Sequence, residues 1–137
     1  MNKDFDNWNQ VKKLIENEDK KVYGYPREVW WCSFGINIGA EIDGKNENYE
    51  RTVVILFVYN KESMLVLPIT SKPKPDKFHY KITIQTKKSG TSEIIMKDVW
   101  VKLTQARVIS NKRLIRKVDV IPEVEFKNIQ DAFRKFT

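Results

Sequence analysis

The residues best suited to chemistry gather around one predicted β-hairpin. Arg51 opens the apolar run RTVVILFVY, and Thr70 and Ser71 close the returning run that ends in Pro68-Ile69-Thr70-Ser71. With Asn60 and Lys61 as a two-residue turn, Tyr59 faces Glu62, paired residue numbers sum to 121, and Arg51 lies opposite Thr70. Opposed residues of an antiparallel pair share a face with Cβ atoms about 5 Å apart, so guanidinium and hydroxyl can reach one bound group. A slip of two residues keeps them diagonal neighbours, whereas a slip of one sends them to opposite faces. An arginine at a strand mouth is also commonly just a solvated cation, so this pairing defines a candidate reaction centre and not yet a role.

The remaining inventory narrows the chemistry. There is one cysteine, Cys32, and one histidine, His79. That excludes an internal disulfide, a Cys/His metal cluster of the usual spacing and a two-histidine acid/base ribonuclease. His79 alternates away from Phe78 and Tyr80 and reads as an exposed structural residue, and a G-x-S-x-G elbow is absent. Arg, Thr, Ser, Glu and Lys around the hairpin mouth are poor metal ligands but suit charge stabilisation on a phosphoryl group. The preceding loop, Gly35 to Glu50, is 16 residues long without apolar periodicity. Loops of that length in a compact domain are usually functional or disordered. Its Gly39, Glu41, Gly44 and Lys45 would suit a flap over a substrate backbone, and their spacing matches neither a dinucleotide fingerprint nor a P-loop.

Charge is unevenly spread. Residues 72 to 117 hold 13 basic and 3 acidic side chains, net +10, while the segments before and after are slightly acidic. A block of that kind attracts a polyanion, nucleic acid being the commonest one in the cytoplasm; it is equally what a soluble lysine-rich surface looks like. The start, MNKDFDNWNQ, has no secretory pattern, and the lone cysteine agrees with a reducing cytoplasm. The longest apolar runs have strand length, far short of the roughly 20 residues of a membrane-spanning helix.

The elements that must position these residues follow from periodicity. Phe5, Trp8, Val11 and Ile15 predict an N-terminal amphipathic helix capped by Asp4, with a linker to residue 21 and one barrel domain over 22–137. Glu28 to Phe34 is the first core strand, which sends Trp30 and Trp31 to opposite faces. One tryptophan is core; the other is a sheet or subunit contact, or a stacking platform for a base. Phe78, Tyr80, Ile82 and Ile84 mark a further strand, with a partner through Ile94 and Met96, and Val99 to Ile109 reads as one more. On that strand Leu103, Gln105 and Arg107 share one face, and Trp100 and Lys102 the other. Ser110 to Leu114 is a short turn or a single helical turn, and Val118 to Ile121 a short edge segment. Phe126, Ile129 and Phe133 after Pro122 predict a C-terminal helix. The order helix, about six strands, helix implies a small curled β-barrel flanked by helices.

Several blocks in sequence, PREVWWCSFGINIGAEIDGKNENYERTVVILF, LVLPITSK and LTQARVISNKRL, resemble the PemK/MazF family of bacterial toxin endoribonucleases over residues 27 to about 136. The family pattern runs G-x-E-x-x-G-K, then R-P-V-hydrophobic, hydrophobic-x-ITS, and Q-x-R-hydrophobic-I. The resemblance implies an SH3-like or CcdB-like barrel, a homodimer, cleavage of single-stranded RNA at short sequences without a cofactor, and neutralisation by a small antitoxin. It makes Arg51 and Thr70 the catalytic pair. Glu41, Lys45, Ser71, Gln105 and Arg107 match substrate-contacting positions. Thr52 stands where the family has Pro, and Arg27 where a Gly usually opens the first strand. The implied reaction is metal-independent transesterification to a 2′,3′-cyclic phosphate and a 5′-OH. Arg51, charged at any ordinary pH, is a poor general base, so the base is unassigned. Two other classes remain compatible with these residues: a CcdB-like topoisomerase-binding toxin and a non-catalytic nucleic-acid-binding module.

Overall fold

Val53, Val54, Ile55 and Leu56 are consecutive and all buried, so the strand that carries them has no solvent side over its middle and must serve two cores. The computed structural model describes residues 22–33, 50–88 and 90–137. The expected N-terminal helix, Phe34 at the end of the expected first strand, and residues 35–49 of the long loop, with Glu41 and Lys45, lie outside them. Seven strands are described: β1 (Glu28–Ser33), β2 (Glu50–Asn60), β3 (Ser63–Thr70), β4 (His79–Lys87), β5 (Ile94–Lys102), β6 (Arg107–Ser110) and β7 (Leu114–Val120). They precede one helix, α1 (Glu123–Arg134). The fold is mainly β, as expected.

The strands run in the order β4-β5-β3-β2-β1-β7, with β6 added on β3, and the pairings are antiparallel. The sheet curls until its two ends meet, where the Gln85 N–H of β4 donates to the Asp119 carboxylate of β7 at 2.8 Å. Inside this half-barrel lie Val29, Val54, Leu67, Ile69, Ile82, Ile84, Val99 and Val101. α1 closes one end with Phe126 and Ile129, two of the three residues whose spacing predicts it, and starts directly after Pro122. The other set of β2 side chains, Val53 and Ile55, packs outside the curl with Trp30, Cys32, Met64, Val66, Ile109 and Leu114. Gly24 is required there, because Ile55, Leu114 and Met64 occupy the space a Cβ would need. Trp30 and Trp31 do face opposite sides. Trp30 is buried and its indole N–H donates to Glu28 at 2.9 Å, whereas Trp31 is half-buried on the inner side.

The hairpin that carries the candidate centre reaches the expected register by a different route. Val53↔Pro68, Val54↔Leu67 and Ile55↔Val66 each sum to 121, yet the turn is Lys61-Glu62 and the hairpin closes at Asn60↔Ser63. Asn60 sets this turn by accepting the Glu62 and Ser63 N–H groups at 2.8 and 3.0 Å. Two irregularities, between Ile55 and Phe57 and between Val58 and Asn60, each add a residue to β2 and return the register to 121.

Other expectations need correcting. Val99 to Ile109 is not one strand: β5 runs unbroken from Ile94 to Lys102, the chain turns at Leu103 and Thr104, and β6 begins at Arg107. Gln105 therefore sits in a connection, and the shared face expected for Leu103, Gln105 and Arg107 does not exist. The last strand is longer than its apolar end suggests, beginning at Leu114 after a 3-10 turn at Asn111–Arg113. Arg27, at the usual Gly position, has φ 79°, the left-handed region that favours glycine. Its Nε donates to the Ile121 carbonyl at 2.8 Å, and backbone bonds to Ile55 and Ile121 hold it from both sides.

Candidate active site

Strand registers set out the site as two rows on the outer face of the curl. Thr70 pairs with Trp100, and Trp100 with Lys81. One row nearer the helix end, Val53 pairs with Pro68 and Lys102 with His79. Arg51 and Thr70 each lie two residues beyond the Val53↔Pro68 pair, on the same side of the sheet as that pair. Both are buried, at 7% and 3% exposure, which is unusual for an arginine and fixes its position. Arg51 is held in β2 opposite Cys32 of β1.

Thr70 is oriented by its own turn. Its Oγ1 accepts the Lys72 N–H at 3.2 Å, which leaves the hydroxyl hydrogen to donate elsewhere. The prolines at 73 and 75 carry the chain from Ser71, which is exposed, to Asp76. Asp76 accepts the Phe78 N–H at 2.9 Å and pairs with His79 Nδ1 at 2.7 Å; the His79 bond is the main cause of its lowered carboxyl pKa. His79 is thus tied to a carboxylate, and its Nε2 is buried with no hydrogen-bond partner among the described residues.

Lys102 is the cation that sequence reasoning passed over. Burial pushes its ammonium pKa down, and Lys74 and Arg51 push the same way while Asp76 opposes them. Lys102 thus lies within electrostatic reach of both Lys74 and Arg51. Arg107, first residue of β6, pairs with Val66, four residues before Thr70 on the same strand face. It also acts electrostatically on Cys32, the ladder partner of Arg51, as does Arg113. Burial outweighs both arginines and lifts the Cys32 thiol to about 12. Trp100 and Lys102 do share a face, as the alternation predicts. What was missing was the pairing of β5 with β3, which sets Lys102 beside the strand that carries Thr70.

Arg51 also borders a second feature. The end of the half-barrel opposite α1 opens as a cleft of about 700 Å³, lined by Arg51, Thr52 and Ser71 among others. The structure thus brings Arg51, Thr70 and Arg107 to one face and places Ser71 at the adjoining cleft, while Gln105 lies apart from these ladders. A cluster of three or more His, Cys, Asp or Glu suited to a metal ion does not occur among the described residues.

Comparison with known proteins agrees with this fold. The half-barrel is similar to the Mycobacterium tuberculosis toxin MazF-mt6, with a TM-score of 0.58 and 12% identity over 80% of this chain and 95% of that one. It is also similar to a mycobacterial endoribonuclease solved in complex with its cognate antitoxin, with a TM-score of 0.53 and 9% identity over 82% and 93% of the two chains. A further mycobacterial endoribonuclease matches with a TM-score of 0.53 and 8% identity over 85% and 94%. At such identities these likenesses speak for the fold. A search of curated protein sequences finds no match. The model of the PemK-like, MazF-like toxins of type II toxin-antitoxin systems matches residues 25–137, and the chain belongs to that family.

Proposed function

We propose that this toxin is an endoribonuclease that cleaves single-stranded RNA by transesterification. The observation that carries this reading is the placement of Arg51 and Thr70, both buried, two residues beyond the Val53↔Pro68 pair on one side of the sheet. The ribose 2′-oxygen attacks the adjacent phosphorus, the bond from phosphorus to the 5′-oxygen breaks, and the ends are a 2′,3′-cyclic phosphate and a 5′-OH. The 2′-OH proton leaves to a base that the geometry does not assign, and the departing 5′-oxygen takes up a proton.

Arg51 stays cationic throughout and stabilises the extra negative charge on the phosphorane. Thr70 donates its hydroxyl hydrogen to a phosphate oxygen, its acceptor lone pair being engaged by Lys72. Lys102, made more acidic than an ordinary lysine by burial and by its cationic neighbours, suits protonation of the leaving oxygen. No step calls for a metal. Arg107 and Ser71, with Glu41, Lys45 and Gln105, would contact flanking nucleotides.

A small antitoxin with an acidic segment would cover the same cationic face. Phe57, Tyr59 and Val108 are more than half exposed, and Phe57 and Val108 flank Leu65 across three paired strands. This apolar row suits a second copy in a homodimer. Of the described residues no helix is long and apolar enough to cross a membrane, and a cytoplasmic site of action fits the RNA substrate.

The test is end-mapping of RNA incubated in chelator with wild type, Arg51→Ala and Thr70→Val. Cyclic phosphate ends from wild type alone are expected. Intact RNA with wild type, or equal cleavage by Arg51→Ala, refutes the reading. Retained toxicity of Arg51→Ala without RNA cleavage would point instead to a protein target.

A further inference from the structure

Beyond its Arg51 and Ser71 rim, the open end of the half-barrel has no role in the chemistry above. α1 fills one end of the curl; the other is the cleft of about 700 Å³, a size within the range of small-molecule sites. Its depth is apolar, built from Ile69, Ile84 and Val99. Trp31 walls one side, with an indole N–H that is buried and has no acceptor among the described residues. The Arg116 guanidinium lies over the Trp31 ring, 5.4 Å from its centroid. Lys87, Lys88 and Lys97 add positive charge to the lining, and Glu50 is its acid.

We propose that this barrel mouth is a nucleotide subsite, taking the base of a ribonucleotide next to the scissile phosphate and holding that nucleotide's own phosphate on the lysines. The idea rests on the RNA-cleavage reading above. An apolar pocket beside an aromatic ring suits any flat apolar group, and a ring of cations suits any anion; a nucleotide unites the two. The buried indole N–H calls for an acceptor, which a base carbonyl or ring nitrogen supplies. Continuity comes from Arg51, which borders the cleft and belongs to the reaction centre, so a base seated here is a neighbour of the phosphate being cut. Trp31, which alternation sends to the face opposite the core Trp30, thereby acquires a function as a stacking platform.

The experiment titrates full-length protein with nucleoside 5′-monophosphates and, separately, with ribose 5-phosphate and an oligoglutamate peptide, following backbone and indole N–H resonances by NMR. Saturable shifts are expected at the Trp31 indole, Thr86 and Lys97, with ribose 5-phosphate and oligoglutamate binding about tenfold more weakly because neither can stack. Lys97→Glu and Arg116→Glu, both at exposed positions, should weaken mononucleotide binding at least fivefold with the spectrum otherwise folded. Mononucleotide binding that leaves these resonances unmoved overturns the proposal. So does equal affinity for ribose 5-phosphate, which would mean that charge alone is recognised, or for oligoglutamate, which would mark a protein-binding groove. Because no cleavage is read, the subsite and the ribonuclease reading fail separately. Mouth binding without RNA cleavage leaves a nucleotide site and removes the reaction, and cleavage without mouth binding does the reverse.

Discussion

Replacing Thr70 by valine separates what this residue does for the fold from what it does for the reaction. The two side chains have nearly the same shape, and Thr70 is only 3% exposed, so its pairing with Trp100 persists. The fold loses one acceptor, that of the Lys72 N–H at 3.2 Å, just beyond the strand end. A single neutral hydrogen bond of this kind contributes about 1 kcal/mol. For a domain of this size that is a fall in Tm of roughly 3 °C. The reaction loses a preorganised donor to a charge that develops in the transition state, and such losses cost about 10² to 10³ in rate, or ~3–4 kcal/mol. The catalytic loss therefore exceeds the structural one severalfold. Thr70→Ser keeps both the acceptor and the donor and should stay within about tenfold of wild type. A single-turnover assay on a short RNA, with melting curves of the same three proteins, measures both quantities. The reasoning is refuted if Thr70→Val cuts RNA at the wild-type rate. It is also refuted if Thr70→Ser is as slow as Thr70→Val while both remain folded.

Arg27 offers a stability test of backbone strain: Arg27→Ala keeps the positive φ and loses the Nε bond to Ile121, whereas Arg27→Gly loses the bond and relieves the strain. Glycine should be the more stable variant by about 1–2 kcal/mol in urea denaturation, and an equal or better alanine variant refutes this. Cys32 is fully buried with its thiol raised to about 12, so a thiol reagent at pH 8 should label it only on unfolding; rapid labelling of native protein contradicts this. Lys102 has its pKa lowered in the folded state, so the unfolded chain binds more protons in the window just below the ordinary lysine value of about 10.4. Stability gains a contribution as pH rises through that window, and Lys102→Met should abolish it in denaturation midpoints measured across alkaline pH.

How far the site could be read from the residues depended on which strand pairs a short turn can specify. Between β2 and β3 the register sum of 121 is what an Asn60-Lys61 turn without bulges predicts. It holds at Val53↔Pro68 although the turn sits elsewhere, because two bulges in β2 offset the displaced turn. Those bulges carry no signal in an apolar run such as RTVVILFVY, where every position is compatible with burial. The position of α1 was legible from Pro122 and the Phe126, Ile129 and Phe133 spacing. The break between β5 and β6 was not, since LTQAR contains neither Gly nor Pro to announce it. Lys102 stayed hidden for a related reason. Its significance comes from Arg51 and Lys74, which are distant in sequence and meet it only when β5 pairs with β3. Arg27 is the converse case: its residue type argues against a left-handed backbone, and hydrogen bonding from Ile55 and Ile121 overrides that preference.

The two-sided burial of β2 explains why one arginine can serve two places. Successive residues of a strand point to opposite sides, so the start of β2 delivers Arg51 toward the outer row and Thr52 toward the lumen. The strand ends there, and a long side chain at the rim of a curled sheet borders both surfaces, as Arg51 does in lining the cleft. Pro in place of Thr52 would fix φ at that point and withdraw an N–H. With Thr52, the orientation of Arg51 relies instead on its burial and on the β1 ladder through Cys32. Burial first, and the positive charge of Lys74 and Arg51 second, disfavour the charged form of Lys102 in the folded chain. An anion bound beside Lys102 would offset that penalty, by an amount that grows with how well it neutralises the ammonium. An RNA phosphate and an acidic antitoxin segment would each offset the same penalty. If the proposed function holds, inhibition would need no conformational switch, because an acidic segment seated beside Lys102 would exclude the substrate phosphate.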